Sequence, residues 1–120
     1  MGMIQLQHWG KSGDRILITY ENLHASVQVD LFPNIEKYTG HYKADCLLWA
    51  LWVDGPYREQ GAAKMLVARA ELEAKQHGCK SIALEWSADE SEEWVLQWYD
   101  RLGYNEVEFG KGSSLMVKEL

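Results

Sequence analysis

Residues 55–63, Gly-Pro-Tyr-Arg-Glu-Gln-Gly-Ala-Ala, carry the most pointed chemistry in the chain. They follow the apolar run CLLWALWV at 46–53 and precede an alanine-rich segment. A strand that runs into a glycine-containing loop and then a helix start gathers several unpaired backbone N–H groups at one point, which makes a site for phosphate. Gly61 lets the main chain approach an anion, Ala62 and Ala63 keep the first turn clear, and Arg58 offers a guanidinium that can fork onto phosphate oxygens. The spacing is neither the Gly-x-x-x-x-Gly-Lys of a P-loop nor the Gly-x-Gly-x-x-Gly of a dinucleotide fold. Taken alone, the stretch reads equally well as a plain strand-to-helix connection with a turn glycine.

Other reactive residue types point to less. Cys46 sits in an apolar run and Cys79 follows Gly78, with neither CxxC spacing nor adjacent histidines, so both read as free thiols and no metal is expected. The net charge of −6, without a Lys/Arg block, argues against nucleic acid and suits a cationic partner. The six tryptophans allow two readings, most of them filling a small core or some of them walling an acyl group or a cation. The acidic run DESEEW at 89–94 is either a solvated helix start or a patch that recruits cations.

The elements that must hold these residues follow from periodicity. MIQLQH (3–8) and RILITY (15–20) read as a hairpin across SGD (12–14), and ASVQVDLF (25–32) as a third strand after a turn at 21–24. Residues 33–43 read as a loop. ADCLLWALWV (44–53) is too apolar for a strand with a wet face, so it is expected at the centre of the sheet, covered on both sides. Ala63, Leu66, Val67, Ala70 and Ala74 then form an apolar stripe at helical spacing, predicting a helix over about 59–77 that stops at Gly78. A buried strand SIALEW (81–86), a helix over 87–103 ending at Gly103, and strands at 104–109 and 113–120 complete the order β-β-β-β-α-β-α-β-β. One domain over 1–120 is expected, with no membrane span or signal peptide and a cytoplasmic location.

On these residues the chain resembles the GNAT superfamily of N-acetyltransferases. Arg58-Glu59-Gln60-Gly61-Ala62-Ala63 is similar to that family's acyl-CoA motif, Arg/Gln-x-x-Gly-x-Gly/Ala, and WYDRLGYNEV (98–107) to its aromatic-Tyr-x-x-Leu-Gly-aromatic signature. The resemblance covers residues 44–120 well. It implies an α/β (α+β) fold, a mixed, largely antiparallel sheet of about seven strands with a central parallel pair that splays, flanked by two main helices. It also implies acetyl-CoA as co-substrate. The main chain of Leu51, Trp52 and Val53 would pair with the pantetheine arm, and Arg58, Glu59, Gln60, Gly61, Ala62 and Ala63 would wrap the pyrophosphate. Tyr99 aligns with the tyrosine that gives the departing thiolate its proton.

This chain departs from the family pattern at three places. The asparagine often found seven residues before the helix tyrosine is Glu92. No glutamate lies on the central strand, which leaves Asp45 and His24 as the nearest candidates for a base, each readable as merely structural. Only WGKSGD stands where the family commonly has two helices that wall the acceptor side. The reading is therefore an N-acetyltransferase acting on a primary amine, with an open acceptor side suited to a lysine-bearing peptide or a polycationic amine. A second subunit could supply the wall, as a homodimer. The alternative is a non-catalytic acyl-CoA-binding or protein-interaction module of the same fold.

Overall fold

Ile16, Ile18 and Tyr20 alternate along one strand with Arg15, Leu17 and Thr19, and the first set is buried beneath a helix. That alternation, repeated strand by strand, builds the sheet in the computed structural model, which describes residues 4–9, 15–20, 23–31, 44–56, 61–89, 92–110 and 112–120. The strands are β1 (Ile4–Trp9), β2 (Arg15–Tyr20), β3 (Ala25–Leu31), β4 (Cys46–Val53), β5 (Ser81–Ser87), β6 (Asn105–Gly110) and β7 (Ser113–Glu119); the helices are α1 (Ala62–Gln76) and α2 (Glu93–Arg101). The element order is the one read from periodicity. The expected loop at 33–43 and turn at 12–14 lie outside the described residues.

The seven strands lie in the order β1-β2-β3-β4-β5-β7-β6, and only β4 and β5 run parallel. Every other pairing is antiparallel. Alternate residues of the strands therefore face two different environments. Val27, Val29, Cys46, Leu48, Ile82, Leu84 and Met116 pack with Leu66, Val67 and Ala70 of α1 and Tyr99 of α2 in the main core. Leu47, Ala83, Leu115 and Val117 form a smaller cluster on the far face, to which neither helix contributes.

Helix boundaries differ from the expected ones for local reasons. Gly61, at φ +77°, stands in the left-handed region as the residue before α1, so the helix begins at Ala62 rather than near 59. Its buried stripe is Ala62, Leu66, Val67, Ala70, Glu73 and Ala74, with Ala63 only partly buried. Helix α2 begins at Glu93 because Ser87 still belongs to β5, Ala88 donates its N–H to the Gly112 carbonyl, and Glu92 has extended φ/ψ. Gly78 and Gly103, at φ +87° and +101°, end the two helices as expected.

The tryptophans do not fill the core. Trp49, Trp52 and Trp94 are exposed, and Trp86 and Trp98 are half-buried. The aromatic core is built instead from Tyr20, Tyr99 and Tyr104. No helix of the described residues is long and apolar enough to cross a membrane.

Candidate functional site

Strand β4 decides the site. Its first half behaves as its composition demands, with Cys46, Leu47 and Leu48 buried. Its second half overturns the expectation of cover on both sides: Trp49 is 40% and Trp52 50% exposed, and Ala50 is exposed between them. Two departures from regular sheet explain this. Against β3, Gln28 pairs with Trp49 and Ser26 with Trp52, so β4 carries one extra residue there, and Ala50 takes φ +55°. This is a β-bulge, which bends and twists its strand. Against β5, only Cys46 with Ile82 and Leu47 with Ala83 are paired; beyond them the strands part. Both extend further, to Val53 and Ser87, so a wedge opens inside the sheet.

Each candidate residue can be placed relative to this wedge. Leu51 is half-buried against the main core, Trp52 points to the far face, and Val53 is buried opposite Ala25. The β5-facing edge of this stretch is unpaired, as a strand edge awaiting a partner would be. Asp54 and the short turn at Gly55 and Pro56 follow directly. Arg58, Glu59 and Gln60 lie outside the described residues. Beyond them Gly61, Ala62 and Ala63 open α1, whose first N–H groups have no intrahelical partner. A Cβ built on Gly61 meets nothing within 4 Å, so the space over this helix start is open. An anionic group fits there.

Tyr99 lies on the helix-bearing face. It is 7% exposed, its ring 5.1 Å from that of Trp98 and 5.8 Å edge-on to that of Tyr104. Burial pushes its phenol up to about 12. A second buried phenol anchors it: Tyr104 donates its N–H to the Tyr99 carbonyl and its hydroxyl to Glu71 Oε2 at 3.0 Å, and Lys118 Nζ meets Glu71 Oε1 at 2.7 Å. This network ties α1, the end of α2 and β7 together. Burial first, then the Glu71 carboxylate, pushes the Tyr104 phenol far up.

The residues considered as bases separate clearly. Asp45 stands at the closed end of the wedge, where its Oδ2 accepts the Lys80 N–H at 2.7 Å and its own N–H is donated to Ser81 Oγ. It fastens β4 to β5. His24 Nδ1 is 3.2 Å from Asp54 Oδ2, and the Asp54 N–H bonds the His24 carbonyl at 2.8 Å, closing the β2–β3 turn onto the open end of β4. Glu92 turns its carboxylate to the Trp94 indole N–H, while its carbonyl accepts from Val95 N and Trp86 Nε1. It serves the start of α2.

One group escaped the reading of the sequence. Glu85 is exposed on β5 at the lip of the wedge, on the far face with Ala83 and Leu115. The signal was a charged residue in the otherwise apolar stretch SIALEW.

The model of the Acetyltransferase (GNAT) family matches residues 4–104. None of the curated proteins matches the chain in sequence. Among solved structures, a predicted acyl-CoA N-acyltransferase of Klebsiella pneumoniae superposes with a TM-score of 0.75 at 15% identity, covering 100% of this chain and 98% of that one. The PaiA N-acetyltransferase of Thermoplasma acidophilum, in complex with coenzyme A, gives 0.71 at 16% identity over 89% of this chain and 62% of its own. A GNAT acetyltransferase of Listeria monocytogenes gives 0.68 at 22% identity over 90% and 65%. At these identities the likeness is one of fold.

Proposed function

The chain belongs to the GNAT family of acetyltransferases, and on that premise we propose that it moves an acetyl group from acetyl-CoA to a primary amine by direct attack on the thioester. The observation that carries the reading is the wedge between β4 and β5, with an open helix N-terminus at the end of the same strand. An extended arm bearing amides can pair with the free edge at Leu51, Trp52 and Val53, much as an added strand would. The pyrophosphate then meets the N–H groups of Ala62 and Ala63 above Gly61, with Arg58 supplying charge. The Thermoplasma relative, which holds coenzyme A, lends support to an acyl-CoA ligand.

The chemistry needs little more. The amine reaches the carbonyl carbon uncharged, its nitrogen forms the C–N bond and the C–S bond breaks. Sulfur takes a proton from the Tyr99 hydroxyl, the phenol regains one from the nitrogen, and the proton shed by the original ammonium passes to water. A phenol held protonated by burial is suited to donate at neutral pH.

A non-catalytic acyl-CoA-binding module is the second reading, favoured by the deep packing of Tyr99 in the core. Calorimetric titration with acetyl-CoA, followed by thiol release over a panel of amines, separates the two. Saturable binding with amine-dependent thiol release supports the transferase, and binding without release supports the module. Absence of binding removes both.

A further inference from the structure

Two strands that part after a parallel pairing leave side chains of like parity on the two lips of the gap. Cys46 and Ile82 both join the main core, and their neighbours Leu47 and Ala83 both join the far-face cluster. Two residues further on, with the same parity, stand Trp49 on β4 and Glu85 on β5. Both are exposed, and Glu85 makes no ion pair among the described residues. Across β3 from Trp49 is Gln28, whose Oε1 is out of water with no hydrogen-bond partner among the described residues. Its terminal torsion is soft, and a rotation presents that oxygen to a donor at the lip. Trp49 already receives one cation, the Arg15 guanidinium 5.8 Å from its ring centroid. That charge is balanced by Asp30, 3.1 Å from Arg15 Nε.

A carboxylate, an unfilled amide oxygen and an indole face are the three groups that recognise an ammonium. We propose that Glu85, Trp49 and Gln28 form the receiving site for the acceptor, an alkylammonium that enters the wedge from the far face. The proposal rests on the acyl-transfer reading and specifies its substrate class: an acceptor that arrives charged on a flexible alkyl chain, as a lysine side chain or a polyamine does. Glu85 and Gln28 bind its N–H groups and Trp49 its methylenes. Delivery from the face opposite the helices leaves the cofactor arm and Tyr99 undisturbed.

The test measures binding without turnover. Nα-acetyl-lysine methylamide, its uncharged norleucine isostere and spermidine are titrated into the protein with coenzyme A present, following tryptophan fluorescence. The lysine amide or spermidine should bind saturably, whichever is tighter naming the source, and the norleucine isostere should bind at least about tenfold more weakly. Glu85→Gln should weaken the charged ligands by roughly 10- to 100-fold, with coenzyme A affinity unchanged. Trp49→Leu should weaken them less. Equal affinity of wild type and Glu85→Gln, equal affinity for lysine and norleucine, or no saturable binding of either ammonium overturns the site. Ammonium binding that survives while thiol release is absent instead sinks the acyl-transfer reading and leaves the Glu85 site standing.

Discussion

At the scale of single residues, Tyr99 and Gly61 carry the sharpest expectations. Tyr99→Phe keeps the ring that packs against Trp98 and Tyr104 and removes only the proton donor. Turnover should fall by roughly 10²- to 10⁴-fold with acetyl-CoA binding nearly unchanged, measured by steady-state kinetics beside calorimetry. Equal turnover would take the phenol out of the mechanism. Because burial holds it protonated to about 12, the wild-type rate should show no loss from tyrosine ionisation near its ordinary 10.0. Gly61 has two reasons to be glycine, its left-handed φ and the open space above it. The two can be separated. Gly61→Asn tolerates the backbone and should fold normally, whereas Gly61→Val should lose about 1–2 kcal/mol of stability to strain. Both place atoms where an anion would sit, so both should weaken acetyl-CoA. Arg58→Ala should weaken it by about 1.5–3 kcal/mol, roughly 10- to 100-fold. Wild-type affinity in all three would dismiss the phosphate cradle.

At the scale of elements, the bulge in β4 is the feature on which the site turns. Ala50 adopts φ +55° with a small side chain, and a β-branched residue there pays more for the same backbone. Ala50→Val should destabilise by about 1–2 kcal/mol, read from the denaturation midpoint, and should depress turnover beyond what that loss explains, because the wedge changes shape. Unaltered kinetics would mean that the bulge is incidental. This element also marks where sequence stops being informative. The run CLLWALWV is legible as a central strand, since eight apolar residues suit no other place in an antiparallel meander. That its second half is wet was not legible, because the exposure of Trp49 and Trp52 comes from partners that separate, not from the strand itself. For the same reason Glu85 was passed over. Its meaning lies in Trp49 across a gap, 36 positions earlier in the chain (85 − 49). The helix stops at Gly78 and Gly103 were legible because a left-handed residue is a local matter.

At the scale of the whole molecule, three buried acids set the alkaline limit. Burial raises the Cys46 thiol above its ordinary 9.0, and raises the Tyr99 and Tyr104 phenols above 10.0. As pH climbs past about 9 to 10 the unfolded chain gives up these protons while the folded chain keeps them, so the folded state binds more protons and unfolding becomes easier. Melting temperature should be insensitive to these groups below pH 9 and should decline steadily toward pH 12, the region where Tyr99 ionises in place. A melting temperature that stays level across that window would show that the three groups reach water in the native state.

The two residue pairs that join β4 to β5 have a mechanical consequence as well. Everything before them, β1 to β4, is one meander of neighbouring strands, and everything after, β5, β7 and β6, is another. The sheet is thus two panels stitched along a seam of Cys46 with Ile82 and Leu47 with Ala83, braced from one side by the helices. A seam so short is the natural place for breathing, and a molecule lodged between the panels would act as mortar. Amide hydrogen exchange at Leu47 and Ala83 should therefore outpace that of Val27 and Ile18 in the bare protein and slow toward it when coenzyme A is added.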